Sequence, residues 1–416
     1  MSADAFSSAL KVLRDRAGPA PRIYVPGVAA EPFSFDAAFE TDPELARAAT
    51  FFGIWIPGVN RTDWTRHHPS SRSELIFLSP DFEPAFTAGR AAFKPLTYTQ
   101  SWAWLEHAPV DAAIVQVAPP DAQGRCSLSA SSDFTTALID RTPVVIAQIN
   151  SALHPLPGAT SLPLERFDAV VEAPTAPRGF DAGRLPPAFA DIARHIAGLV
   201  EDGDTLQFGL GKVQLAVLPA LSGHRNLTIH SGMVSDPLAP LLDGPAIEAI
   251  RTGAVLGGPA LHEALAHDRR LTMTSVRDTH SIAVLAGLER FVAINSVIEV
   301  DLFGQANGEF LAGRQISGGG GLLDFARGAQ ASRGGRAIFA LSSTARQGAI
   351  SRITPRLNDG VVTLPRPDVE IVVTEHGVAD LRGTDIDARA QRLIRIAAPH
   401  HRDALSDAWD EMRRRM

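Results

Sequence analysis

The chain has 416 residues, of which 45% are hydrophobic and 20% are charged, and its formal net charge is −7. This composition is typical of a folded globular enzyme and excludes a largely disordered chain. Lys and Arg do not cluster, apart from the terminal run Arg413–Arg415. We therefore expect no nucleic-acid partner, and the length predicts two domains.

The cellular context follows from the cysteine count and the apolar runs. Cys126 is the single cysteine, which fits a reducing compartment and excludes an internal disulfide. The first residues lack the continuous apolar core of a secretion signal, and no apolar run approaches the roughly 20 residues needed to cross a bilayer. We therefore expect a cytoplasmic protein without a membrane partner.

The first half begins with a short amphipathic helix, in which Phe6, Leu10 and Leu13 recur at helical spacing. After this helix, short β-rich runs alternate with stretches that can form helices, and several runs end in Pro or Gly, which mark strand ends. This alternation predicts a parallel α/β sheet that binds ligands beyond the carboxyl ends of its strands. The predicted strands are Arg22–Val25, Gly53–Ile56, Glu74–Leu78, Val110–Ala118, Pro143–Ile149 and Phe167–Val171.

A Pro- and Gly-rich stretch from Pro174 to Pro187 predicts the boundary between domains at 1–180 and 187–416. A helix should follow over about Ala188–Glu201, and the alternation then resumes. The predicted strands are Thr205–Phe208, Leu227–Ile229, Ala254–Leu256, Phe291–Ile294, Ile298–Leu302, Ala337–Leu341, Val361–Leu364 and Glu370–Val373. The predicted helices are Val213–Leu221, Ala260–Ala266, Ile386–Ala397 and Arg402–Arg414, with another helix starting near Val234–Asp236.

The richest candidate for a site is the stretch Ile294–Ala329, which carries four consecutive glycines between apolar segments. Such a tract indicates either a tight bend or the close approach of another group to the backbone. Polar side chains flank the tract on segments that otherwise resemble buried strands. The glycines are Gly318, Gly319, Gly320 and Gly321, and the polar residues include Asn295, Glu299, Gln305 and Asp324.

Three strand-to-helix junctions are further candidates. Gln207–Lys212 carries Gly209 and Gly211 before a helix, where exposed amides favour an anion, but its spacing is not that of a Walker loop. His230 and Ser231 are adjacent on a strand and should point to opposite faces, which argues against a nucleophile elbow. The junction around His376 can face a cleft or cap a helix. The histidines show no metal-ligand spacing, so we expect no metal site.

These motifs together resemble the acetyl-CoA hydrolase/transferase family. The resemblance runs in order from about Thr205 to Asp403 and is thinner before it, in Asp121–Asp133 and Ala147–Gly158. It implies an α/β protein of two CoA-transferase-like domains, each an open and mainly parallel sheet, with the active site between them. It also implies an acyl-CoA substrate, no permanently bound cofactor and a homodimer. The motifs are QFGLGK, LTIHSGMVSD, NSVIEVDLFGQANGE, GGGGLLDFARGA, LSSTA, SRITP and VVTEHGVADLRG.

The resemblance also exposes a missing residue. Transferases of this family attack the thioester with a glutamate carboxylate, at the third position of a His-Thr-Glu-Met or similar motif. That position is Gly232 here, and Met233, Ser235 and Asp236 fit the motif on its far side. By resemblance, oxyanion and CoA-binding groups are expected at Gly209, Gly211, Lys212, Val213, Asn295, Gln305 and Gly318–Gly321.

Three functions remain open at this point. In the first, a hydrolase or related lytic enzyme admits water where the glutamate is missing, with Glu299, His230 or His376 as the base. In the second, a transferase uses Glu299 or Glu375 as its nucleophile. The third is a CoA-ester-binding protein without turnover. The acyl group is not evident from the sequence, although four tryptophans of the first half either shape its pocket or belong to the core: Trp55, Trp64, Trp102 and Trp104.

Overall fold

The computed structural model describes residues 3–357 and 360–416. Met1, Ser2, Asn358 and Asp359 fall within the two predicted domains but lie outside the described residues. None of the helices in the described chain combines the length and the apolar character that crossing a membrane requires.

The first half forms a seven-stranded sheet in the order β4-β3-β2-β1-β5-β7-β9, and all of its neighbouring strands are parallel. The predicted helix at the start is confirmed, with Phe6, Leu10 and Leu13 buried. The elements are α1 (Ala3–Ala17), β1 (Arg22–Tyr24), α2 (Asp36–Thr41), β2 (Thr50–Phe52), β3 (Arg72–Leu75), α3 (Glu83–Thr87), β4 (Ala91–Phe93), α4 (Tyr98–His107), β5 (Ala112–Val117), β6 (Arg125–Ser127), β7 (Val144–Ile149), β8 (Ser161–Pro163) and β9 (Ala169–Glu172).

The second half forms an eight-stranded sheet in the order β13-β12-β11-β10-β14-β19-β23-β24, in which only β23 and β24 are antiparallel neighbours. Its helices are α5 (Ala188–Ala197), α6 (Lys212–Ala220), α7 (Ala239–Leu242), α8 (Pro259–Ala266), α9 (Val276–Thr279), α10 (Ile282–Ala286), α11 (Leu322–Ala331), α12 (Ile386–Ile396) and α13 (Arg402–Arg413). Its strands are β10 (Thr205–Phe208), β11 (Leu227–Ser235), β12 (Ile247–Leu256), β13 (Leu271–Met273), β14 (Phe291–Ser296), β15 (Glu299–Asp301), β16 (Ala306–Asn307), β17 (Phe310–Leu311), β18 (Arg314–Gln315), β19 (Arg336–Ala340), β20 (Thr344–Ala345), β21 (Ile350–Ser351), β22 (Ile353–Thr354), β23 (Ile371–Thr374) and β24 (Gly377–Asp380).

The predicted α/β class with two mainly parallel sheets is confirmed, but several local predictions are wrong. The junction around His376 does not lead from a strand into a helix, because β23 turns there into the antiparallel strand β24. Val361–Leu364 is not a strand, since only Leu364 pairs, in an isolated bridge with Ala306. The strand predicted over Gly53–Ile56 lies earlier, at Thr50–Phe52. β11 does not stop at Ile229, because parallel pairing with β12 continues to Ser235. Gly232 therefore lies inside a central strand. A 3₁₀ helix begins at Asp236 and leads into α7, in agreement with the helix predicted near Val234–Asp236.

The two sheets meet through backbone hydrogen bonds as well as side chains. Beside β12, the N–H of Ser132 donates to Gly253 O at 3.0 Å, and the N–H of Val255 donates to Ala130 O at 2.8 Å. On the other side, the N–H of Leu78 donates to Ser317 O at 3.1 Å, next to the four-glycine tract. These contacts enclose a cleft between the two halves of the chain.

Candidate active site

A cavity of about 260 Å³ occupies this cleft, and we call it the interdomain cavity. Phe77 from the first half and Phe208 and Ser296 from the second line it. These residues lie at or just beyond the carboxyl ends of β3, β10 and β14, where ligands of parallel α/β sheets bind. The cavity also brings together several residues expected from the sequence, namely Gly209, Gly232, Asn295 and Gly318–Gly321.

At the cavity wall, the four-glycine tract of the second half passes very close to Ile76 and Phe77 of the first half. A Cβ atom at Gly318 would lie 2.2 Å from Ile76 O, and one at Gly320 would lie 2.9 Å from Phe77 Cζ. Gly320 also has a φ of +52°, in the left-handed region that favours glycine. The glycines thus allow the second half of the chain to reach the first without displacing its backbone.

Three residues that line this cavity have backbone amides without a hydrogen-bond partner in the described chain. Within residues 3–357 and 360–416, the N–H groups of Gly318, Gly319 and Leu210 donate no hydrogen bond. Gly209 differs, because its N–H donates to Ile294 O at 2.9 Å and extends the pairing of β10 with β14. The amides of Gly318, Gly319 and Leu210 are therefore candidates to bind an oxyanion, whereas the Gly209 amide is occupied.

The space beside Gly232 is filled by an imidazole ring. A Cβ atom at Gly232 would lie 2.7 Å from Cε1 and 3.1 Å from Nε2 of His280. A Cβ atom at Gly321, on the other side of the ring, would lie 2.5 Å from Nε2. Side chains do not tolerate such distances, so glycine at both positions makes room for His280. The ring lies where a longer side chain at position 232 would begin.

His280 is held by its neighbours on several sides. Its ring centroid lies 4.3 Å from that of Phe325 and 4.8 Å from that of Tyr98. Nδ1 lies 2.8 Å from Oγ1 of Thr279, whose hydroxyl lies 3.3 Å from Ser275 O. Burial, with a smaller contribution from His230, lowers the pKa of His280 to about 3, so the ring is neutral near pH 7.

Sequence reasoning missed His280 as a site residue. It follows the short helix α9 and belongs to none of the motifs, and no local pattern relates it to Gly232, 48 positions earlier. The role of His280 becomes visible only in the structure, where Gly232 and Gly321 both contact its ring. The four tryptophans also lie away from the cavity: Trp55 and Trp64 are fully buried in the first half, and Trp102 and Trp104 pack at the edge of its core.

The acidic and basic residues predicted for catalysis lie outside the cavity wall. Glu299 forms an ion pair with Arg352, at 3.2 Å. Nε2 of His230 lies 3.2 Å from Thr279 O, and burial lowers the pKa of His230 to about 4. Glu375 accepts hydrogen bonds from the amide and the hydroxyl of Ser343, while His376 borders a separate depression near Arg392.

Of the predicted binding residues, Asn295 lines the cavity, and its side-chain amide pairs reciprocally with that of Gln207, at 2.8 and 3.2 Å. Gln305 instead donates to Asp301, at 2.8 Å, within a turn. Val213 is buried in the core, Lys212 is exposed at the start of α6, and Gly211 borders a neighbouring cavity of about 330 Å³.

Within the described parts of the chain, no group of three or more His, Cys, Asp or Glu side chains is placed to hold a metal ion. The polar groups that line the cavity include His280, the side chains of Gln207 and Asn295, and the backbone of the glycine tract.

Two open α/β domains that enclose a cleft at the carboxyl ends of their strands define a protein with a CoA-transferase-like fold. The chain superposes on 4-hydroxybutyrate CoA-transferase from Porphyromonas gingivalis with a TM-score of 0.78 and 28% identity, covering 98% of this chain and 97% of that one. It superposes on RipA from Yersinia pestis with a TM-score of 0.89 and 26% identity, covering 99% and 100%.

The chain belongs to the acetyl-CoA hydrolase/transferase family. The N-terminal domain of that family matches residues 40–180, and the C-terminal domain matches residues 257–409. The chain is also 36% identical over 350 residues to 4-hydroxybutyrate coenzyme A transferase from Clostridium kluyveri, an alignment that covers 81% of this chain and 82% of that protein. The resemblance noted in the sequence is thereby confirmed.

Proposed function

We propose that this chain hydrolyses acyl-CoA thioesters, with water rather than a protein carboxylate as the attacking nucleophile. The observation that carries the proposal is the His280 ring beside Gly232, at a position where the resemblance places a glutamate. No Asp or Glu side chain of residues 3–357 and 360–416 lines the interdomain cavity. A glutamyl anhydride and a glutamyl-CoA thioester therefore have no residue on which to form.

His280 is the base in this proposal. If the Thr279 hydroxyl donates to Ser275 O, Nδ1 of His280 carries the proton and donates to Thr279 Oγ1, which leaves the lone pair on Nε2. Burial keeps the ring neutral, so this lone pair is available near pH 7. Nε2 takes a proton from water as the oxygen attacks the thioester carbon, and the ring returns it to the departing CoA thiolate.

The free amides supply the second element of the mechanism. The carbonyl oxygen becomes an oxyanion when water adds, and the N–H groups of Gly318, Gly319 and Leu210 are available to bind it. Loss of a single donor of this kind costs about 10²–10³ in kcat. The products are a carboxylate, a proton and CoA with its thiol restored, which balances the addition of one water to the thioester.

A transferase that uses another carboxylate is less well supported. The two candidate nucleophiles, Glu299 and Glu375, are held by Arg352 and Ser343 and do not line the cavity. A CoA-ester-binding protein without turnover is the other alternative. It requires no base in the cavity, whereas the neutral His280 ring and the unpartnered amides together form the groups that thioester hydrolysis needs.

The test is turnover of butyryl-CoA in water enriched in ¹⁸O, followed by mass spectrometry and borohydride trapping. Hydrolysis places one ¹⁸O in the butyrate and leaves the protein unmodified. The His280→Gln variant should lower kcat by about 10²–10⁴ while it retains CoA-ester binding. His267→Gln, at an exposed histidine outside the cavity, is the matched control and should keep the wild-type rate.

Three results would overturn the proposal. These are a reduced glutamyl adduct after borohydride, exchange of CoA between butyryl-CoA and a free acid without incorporation of water oxygen, and wild-type kcat in His280→Gln. Tight binding of CoA esters without thioester cleavage across a panel of acyl groups would instead favour the non-catalytic alternative.

A further inference from the structure

The interdomain cavity has an apolar wall. Hydrophobic side chains from both halves of the chain surround it, among them Ile56, Phe77, Phe180, Met233, Leu322 and Phe325. Phe77 is almost fully buried by the glycine tract, and Phe325 also packs against His280. Such a wall favours a hydrocarbon acyl group, because burying the apolar surface of the acyl group against it contributes favourably to the binding free energy.

No cationic side chain among the described residues lines the cavity to pair with a carboxylate at the far end of an acyl group. Of the side chains lining it in residues 3–357 and 360–416, none belongs to Lys, Arg, Asp or Glu. Its amide side chains, Gln207 and Asn295, are paired with each other. An ionised carboxylate that enters without a cation loses its hydration and gains no charge partner, which is strongly unfavourable.

An arginine close in sequence to the cavity wall already has other partners. Arg178, two positions before Phe180, pairs with the buried Glu31 at 3.1 Å and stacks on Phe33 with its guanidinium carbon 4.3 Å from the ring centroid. It also donates to Val59 O at 2.9 Å. Arg178 therefore anchors the segment that carries Phe180 and does not extend into the cavity.

The cavity volume limits the acyl group. A buried apolar cavity of about 150 Å³ accommodates benzene. The interdomain cavity, at about 260 Å³, is larger than this, so it has space for a six-membered ring together with the thioester carbonyl. Long acyl chains exceed this volume unless they leave the cleft.

We propose that the acyl group of the substrate is an uncharged hydrocarbon of about the size of a short chain or a single ring, and that acyl groups with a terminal carboxylate are rejected. This inference rests on the proposed function, because it places the acyl group in the cavity that contains His280. It goes beyond that function by naming the substrate class that the cavity wall selects.

The test compares butyryl-CoA with succinyl-CoA, which have four acyl carbons each and differ at the far end by a methyl or a carboxylate. We expect kcat/KM to favour butyryl-CoA by about a hundredfold or more. Binding of the thioethers S-butyl-CoA and S-(3-carboxypropyl)-CoA, measured by calorimetry, should show a similar preference without any turnover. Equal affinities for the two thioethers would overturn the inference.

The source of the preference is tested at Phe180, which lies in a loop and is partly exposed. Phe180→Arg places a cation at the cavity wall and should reduce the preference for the butyl thioether by tenfold or more. Phe180→Leu is the matched control and should keep it. An unchanged preference in Phe180→Arg would overturn the assignment. A selective wild type that hydrolyses neither thioester would refute the proposed hydrolysis and leave the acyl-group inference standing.

Discussion

The close packing around His280 predicts that a glutamate introduced at position 232 will destabilise the protein. In the Gly232→Glu variant the new Cβ lies 2.7 Å from Cε1 and 3.1 Å from Nε2 of the ring. The ring has little freedom to retreat, because Phe325 and Tyr98 pack against it with centroids 4.3 and 4.8 Å away. Overpacking of this kind costs about 1–3 kcal/mol, and the buried carboxylate adds to that cost.

Removing the ring should rescue the variant. His280→Ala opens the space that the glutamate needs, so the double variant should lose less stability than the two single variants added together. We expect a coupling free energy of about 1–3 kcal/mol in the double-mutant cycle. Urea unfolding measures it, as a shift of the midpoint at constant slope. CoA transfer from butyryl-CoA to acetate should appear in the double variant and not in His280→Ala alone.

The control is a glycine-to-glutamate substitution at a position whose surroundings are open. A Cβ atom at Gly244 has no neighbour within 4 Å, so Gly244→Glu should leave the unfolding midpoint nearly unchanged. The reasoning is refuted if Gly232→Glu is as stable as Gly244→Glu, or if the effects of Gly232→Glu and His280→Ala are additive. Either result would mean that the ring does not occupy the space of the missing side chain.

Two further predictions concern stability. A Cβ atom at Gly209 would lie 2.8 Å from Asn295 Oδ1, so Gly209→Ala should reduce the free energy of unfolding in urea by about 1–3 kcal/mol. His262 is fully buried, and burial lowers its pKa to about 4, below the value of about 6.5 for an unfolded chain. The unfolded state therefore binds the extra proton between pH 4 and 6.5, and stability decreases as the pH is lowered through this range. His262→Leu should reduce the slope of unfolding free energy against pH by at most about 1.4 kcal/mol per unit, measured by urea unfolding between pH 5 and 6.

The sequence predicted the architecture because its signals are local. Short apolar runs that end in Pro or Gly marked the parallel strands, and the glycine tract indicated the close approach that Ile76 and Phe77 make to it. The end of β11 was mispredicted, since glycine at 232 resembles a break in a strand. Parallel pairing of Ser231 with Thr252 and of Ser235 with Leu256 extends the strand through it. Tertiary pairing there outweighs the low strand propensity of glycine.

The candidate site was less predictable because its essential contact joins distant segments. Gly232 was identified by its place in a motif, but the ring that fills its space comes from the residue after α9. The expected bases were chosen for their residue type. In the structure Glu299 is neutralised by Arg352, a partner 53 positions away that no spacing rule indicates. Charge partners and cavity walls of this kind depend on how the two sheets meet.

The glycine at position 232 and the imidazole ring of His280 depend on each other, because the ring occupies the space that a side chain at position 232 would need. An imidazole ring fits the cleft only if both residues that flank it lack side chains, and Gly232 and Gly321 meet that condition at 2.7 and 2.5 Å. A side chain at position 232 and the ring at position 280 therefore crowd each other. Under the proposed mechanism, a glutamate introduced at position 232 therefore competes with the His280 ring for space, and the double variant separates this steric effect from the chemistry of the carboxylate.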